Sequence, residues 1–117
     1  MKYSLDEIVN MIINFRNDRD WKQFHNPKDL AISLNIEAGE LLECFQWKAL
    51  EEVSEMINSK DKIKVEDEIA DVAIYLLLLC NEIDVDLTEI IKNKIKKNNE
   101  KYPIDKSKGV STKYNNF

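Results

Sequence analysis

The stretch Ile69-Ala70-Asp71-Val72-Ala73-Ile74-Tyr75-Leu76-Leu77-Leu78-Leu79-Cys80 is apolar on nearly every side when wound as a helix. A helix with no polar face belongs at the centre of a bundle or in an interface between copies. The pattern extends it to a long helix from about Ile63 to Asn81. The 117 residues include only two glycines and two prolines, so few backbone breaks are available to interrupt long helices. These features predict an all-α fold, a bundle of four main helices.

Working outward, Ser4 followed by Glu7 is a capping-box signature. After it Ile8, Ile12, Phe15 and Arg19 define a first helix ending around Asp18 to Trp21. Asn26-Pro27 is the next start signal, an N-cap followed by proline at the first helical position. The helix it opens carries Leu30, Ile32, Leu34, Ile36, Leu41, Leu42 and Phe45, and is expected to reach Trp47. Leu50 to Asn58 suit a further short helix with Val53 and Ile57 on one face, and Ser59 to Lys64 read as a connection. Asp86 caps a fourth long helix through Leu87, Ile90, Ile91 and Ile95, which Pro103 stops. Residues 1–103 are read as one helical domain and 104–117 as an irregular tail.

A chain of this length fits one domain. Its net charge of -5 disfavours sequence-independent nucleic-acid binding, which needs a basic face. Cys44 and Cys80 sit in apolar helical runs and read as reduced core residues. Val72 to Cys80 falls far below the ~20 residues of a membrane span. The first residues, Met-Lys-Tyr-Ser-Leu-Asp, lack a signal-type apolar run, and a cytoplasmic location is expected.

The chemistry-bearing residues are Glu37, Glu40, Glu68 and Asp71. Residues three apart share a helix face, so each pair projects together. Both pairs lie among apolar residues rather than at a helix end. Four carboxylates between two such helices would repel one another and pay a desolvation cost. A hard divalent cation relieves both, and oxygen donors are what magnesium prefers. Taken singly, each pair also reads as a solvated helix face. Their equivalent positions on two unusually apolar helices favour the metal. A di-iron bundle needs Glu-x-x-His on two helices, and the only histidine, His25, does not follow a glutamate at that spacing.

Glu37-Ala38-Gly39-Glu40 with Glu68-Ile69-Ala70-Asp71 resembles the paired-acid metal motif of the all-α nucleoside triphosphate pyrophosphohydrolases, the MazG-like superfamily. Arg19-Asp20-Trp21-Lys22-Gln23-Phe24-His25-Asn26-Pro27-Lys28-Asp29-Leu30 is similar to the loop before the first metal helix in the dCTP pyrophosphatase group. Glu43 to Lys48, Asp71 to Leu76, Lys94 to Pro103 and Ser111 to Tyr114 are similar to later segments. The likeness runs from about Tyr3 to Tyr114 and is weakest between residues 48 and 63.

The resemblance implies magnesium-dependent hydrolysis of a nucleoside triphosphate, dCTP or a modified dCTP, to the monophosphate and pyrophosphate, a cleaning of the nucleotide pool. Glu37, Glu40, Glu68 and Asp71 would hold the metal, with manganese as a substitute. One of these acids, or a neighbouring group, would take the proton of the attacking water. Lys94, Asn98 and Lys101 form one helix stripe suited to phosphates, although basic residues there also favour the helix dipole. Trp21, Phe24, His25 and Trp47 suit a base pocket, and Tyr75, one turn after Asp71, a sugar contact. The alternatives are a same-fold hydrolase acting on dUTP or a phosphoribosyl intermediate, and a non-catalytic oligomerisation module. Assembly into a homotetramer, a dimer of dimers, is implied, and neither a nucleic-acid nor a membrane partner is expected.

Overall fold

The computed structural model describes residues 2–117, whose regular structure is helical throughout. Six α-helices follow in order: α1 Leu5–Asp18, α2 Pro27–Glu43, α3 Leu50–Ile57, α4 Lys62–Glu82, α5 Leu87–Lys101 and α6 Ile104–Ser107. No described helix is long and apolar enough to cross a membrane. The chain divides into two compact units, the first ending at Asp84 and the second running from Val85 to Phe117.

In the first unit the start signals work as the sequence predicts. Ser4 Oγ accepts from the Glu7 N–H at 3.1 Å, and Asn26 Oδ1 accepts from the Asp29 N–H at 2.9 Å. Each cap satisfies an N–H that the first helical turn leaves without a partner. α3 starts differently, with Glu52 reaching back to accept from the Ala49 N–H at 3.2 Å.

α2 ends at Glu43 rather than reaching Trp47. Cys44 to Trp47 leave the helix through turns, and Trp47 takes a left-handed backbone with φ of 66°. Such a backbone crowds a residue that has a Cβ, so it normally falls to glycine. The apolar spacing through Phe45 concealed this exit. A short 3-10 turn, Lys22–Phe24, also lies in the loop between α1 and α2.

α4 is the hub: α2 packs along it most extensively and α1 less so. The buried apolar residues are Leu30 on α2 and Val65, Leu77, Leu78 and Cys80 on α4. The most apolar run of the sequence therefore supplies most of the core. Ile69 and Ile74 on α4, and Ile32, Ile36 and Leu42 on α2, remain exposed in the single chain. Cys80 is a buried thiol whose pKa burial pushes up, whereas Cys44 is only partly covered.

In the second unit Asp86 Oδ1 caps α5, accepting from the N–H groups of Thr88 and Glu89. The segment expected as an irregular tail contains α6 and a 3-10 turn, Tyr114–Asn116. It is anchored to the end of α5 by aromatic contacts. Tyr102 meets both Tyr114 and Phe117 edge-on at 5.8 Å between ring centres, and Lys101 Nζ lies 4.8 Å from the Tyr114 ring centre.

Candidate metal centre and adjoining cleft

The cap at Asn26 fixes where α2 begins, and its 3.6-residue period then turns Glu37 and Glu40 to one side. The same period on α4 presents Glu68. Because the two helices pack together, one carboxylate oxygen from each of Glu37, Glu40 and Glu68 lies within 4.8 Å of the others. Asp71 stands outside this tight triplet, yet its charge acts on both Glu37 and Glu68.

The triplet is electrostatically unhappy without a cation. Burial first, then hydrogen bonding with Glu40, then the charges of Glu40, Asp71 and Glu68 push the Glu37 carboxyl from 4.5 up to about 7. Glu68 is raised as well, by burial first and next by the charge of Glu40. Glu40 is thus the shared neighbour of both. Oε2 of Glu37 and Oε2 of Glu68 are buried without a hydrogen-bond partner. The one ion pair among the described residues, Lys62 with Glu66 at 3.8 Å, does not involve them. Crowded acid oxygens with buried, unpaired atoms are a donor set suited to a hard divalent ion. The arrangement fits a metal.

Beside the triplet, Glu40, Glu43, Cys44, Lys64, Asp67 and Glu68 line an open groove of about 520 Å³. A second, more apolar cleft of about 590 Å³ lies between α1 and α4. Its lining includes Asp71, so it begins at the acid cluster and leads away along α1. Trp21, His25 and Tyr75, expected as base and sugar contacts, all line this cleft. Trp21 is braced edge-on against Phe15 at 5.8 Å, and the Arg19 guanidinium covers the Phe15 ring at 3.7 Å. His25 is held below its ordinary pKa of 6.5 by burial and by the Arg16 charge, opposed by Glu82. Its Nδ1 is buried without a partner.

Phe24 and Trp47 stand outside this cleft, and Trp47 is 91% exposed. Lys94, Asn98 and Lys101 lie on α5 in the second unit. Lys94 is lowered in pKa, first by the charge of Lys101, so these two ammonium groups are neighbours. Lys101 also serves the Tyr114 ring, which gives it a packing role.

Sequence reasoning missed Arg16, which lines the cleft and is 4% exposed. Its signal was present. Position 16 falls four residues after Ile12 and eight after Ile8, on the inward stripe of α1.

The model of the MazG-like family matches residues 32–117. dCTP pyrophosphatase 1 of Rattus norvegicus is 37% identical over 112 residues, covering 95% of this chain and 66% of that protein. The Homo sapiens protein of the same name is 35% identical over the same length. The chain therefore spans just under two thirds of the length of these relatives. The crystal structure of a pyrophosphatase from Archaeoglobus fulgidus superposes with a TM-score of 0.80 at 42% identity, covering 88% of this chain and 95% of that one. The all-α architecture, the paired acids and a family match over most of its length together show that this chain belongs to the MazG-like family.

Proposed function

We propose that the protein hydrolyses a deoxynucleoside triphosphate, dCTP or a modified dCTP, to the monophosphate and pyrophosphate, with magnesium as its metal. The convergence of the Glu37, Glu40 and Glu68 oxygens within 4.8 Å carries this reading. It is supported by the relatives named dCTP pyrophosphatase 1. Residues 1–103 would form the hydrolase domain and 104–117 its tail.

Glu37, Glu40, Glu68 and Asp71 would hold the metal. When bound, magnesium supplies charge neutralisation on the phosphates and activation of a water. The chain's own contribution is positional. Two helices pinned by a shared core fix the acids, so little reorganisation accompanies charge development. The adjoining cleft would take the base, Trp21 offering an aromatic face and Tyr75 standing near the sugar. Lys94, Asn98 and Lys101, on α5 of the second unit, are proposed as phosphate-contacting residues, whereas Phe24 and Trp47 stand outside the cleft and take no part in it within one chain.

Oligomerisation belongs to the same reading. Among the described residues only five apolar ones are buried, while Ile32, Ile36, Leu42, Ile69 and Trp47 are exposed. Apolar surface on this scale favours a partner face, here a second copy and a dimer of dimers. Light scattering should give a multiple of 13.7 kDa. The reading is tested by incubating the protein with magnesium and a panel of nucleotides. Pyrophosphate and dCMP should form from dCTP, and Glu40→Gln should abolish turnover while leaving the helical circular dichroism intact. Release of orthophosphate, or no turnover, would overturn it.

A further inference from the structure

Arg16 is the only polar or charged residue among the described residues that is buried, at 4% exposure. Its Nε donates to Asn17 Oδ1 at 3.1 Å, and its Nη1 to Asn81 Oδ1 at 3.5 Å. A guanidinium carries five N–H donors, and both of these acceptors are neutral amides. No carboxylate forms an ion pair with it among the described residues. A buried cation without a counter-charge is costly. The fold nevertheless keeps one at the wall of an apolar cleft.

The cleft indicates what repays that cost. Ile12, Phe15, Trp21 and Ile74 supply flat and aliphatic walls, and Asp71 ties one edge to the acid cluster. A triphosphate held at the acids would send its base toward Arg16, a placement that rests on the proposed hydrolase function. The planar fork of arginine matches two adjacent acceptors. Cytosine has such a pair in N3 and O2, whereas uracil and thymine place an N3–H donor in the same position. His25 lies in the same cleft with an unpartnered ring nitrogen. As a neutral imidazole it can accept from the cytosine amine.

We infer that Arg16 is a specificity-determining residue that reads the N3 and O2 edge of a cytosine base in the cleft between α1 and α4. A purely apolar occupant would leave its remaining donors unanswered. Guanine also offers two adjacent acceptors, O6 and N7, so guanine nucleotides belong in the test.

The experiment measures kcat/KM for dCTP, dUTP, dGTP and 3-deaza-dCTP, in which a C–H replaces N3, on the full chain with magnesium. The unaltered protein should prefer dCTP over 3-deaza-dCTP by roughly 10- to 100-fold. Arg16→Met should bring that ratio close to one, chiefly by losing activity on dCTP. Arg16→Lys, a point charge without the fork, should fall between. An equal loss on both substrates would make Arg16 merely structural and overturn the inference. So would indifference of the unaltered protein to the deaza change, or a preference for dGTP. If Arg16→Met loses its helical signal, the unaltered protein and Arg16→Lys still decide. A retained ratio with altered oligomeric mass would place Arg16 in a subunit contact instead. Failure to release pyrophosphate from any triphosphate would remove the hydrolase reading, and this inference with it. Turnover of dCTP with an unchanged ratio in both variants would remove the inference alone.

Discussion

Replacing Glu37 by glutamine should make the metal-free protein more stable at slightly alkaline pH while destroying its response to magnesium. Glu37 titrates near 7 in the fold against an ordinary 4.5. Each unit of such a shift corresponds to about 1.36 kcal/mol, so the full displacement is worth about 3 kcal/mol. Solvent reaching the half-buried side chain screens this to about 1–2 kcal/mol. The direction follows from linkage. Between pH 4.5 and 7 the folded state binds more protons at this site than the unfolded chain, so stability falls as pH rises through that window. Glutamine cannot ionise and escapes the loss. Urea unfolding in EDTA at pH 5 and pH 8 reads the effect. The unaltered protein should lose stability between the two, and Glu37→Gln should lose about 1–2 kcal/mol less. Added magnesium should then raise the midpoint of the unaltered protein and leave the variant nearly unmoved. Identical pH slopes in the two proteins would refute the crowded-acid argument.

Three further outcomes follow from local structure. Gly39 lies inside α2, and a Cβ there meets nothing within 4 Å. Gly39→Ala should therefore stabilise by about 0.5–1 kcal/mol in urea unfolding, whereas a loss would mean that another copy covers this face. Asn26→Ala removes the cap of α2 and should cost about 1 kcal/mol by the same assay, with magnesium affinity weakened in parallel. Leu30, only 2% exposed, anchors α2 to the core; Leu30→Ala should cost about 2–5 kcal/mol by calorimetry or urea, and a cost below 1 kcal/mol would contradict that placement.

The beginnings of the helices were legible because caps are local chemistry. Ser4, Asn26 and Asp86 each announce an N–H that needs an acceptor, and each meets one. The Glu37, Glu40 and Glu68 cluster was legible because helical spacing fixes faces and two equivalent acid pairs are rare among apolar neighbours. The end of α2 was not. Nothing between Cys44 and Trp47 is a helix breaker, and the exit passes through a left-handed tryptophan where glycine would have been the usual signal. Arg16 was overlooked for a related reason. Its place on the stripe of Ile8 and Ile12 was readable, but an arginine in the last turn of a helix also reads as a partner for the helix dipole, and the packing of α1 on α4 decides for the inward position. Phe24 and Trp47 were grouped with Trp21 as aromatic residues, Phe24 from the same loop and Trp47 from just past the metal helix. One chain places only Trp21 and His25 of that set in the cleft.

The two tryptophans provide a built-in optical gauge. Trp21 rests against Phe15, whereas the Trp47 indole stands almost wholly in water on a backbone held in an uncommon conformation. Emission from Trp47 should thus be red-shifted in an isolated chain and move to the blue when a nucleotide or a neighbouring copy closes over it. In a Trp21→Phe background that colour change would follow assembly and substrate entry in real time, without any added dye.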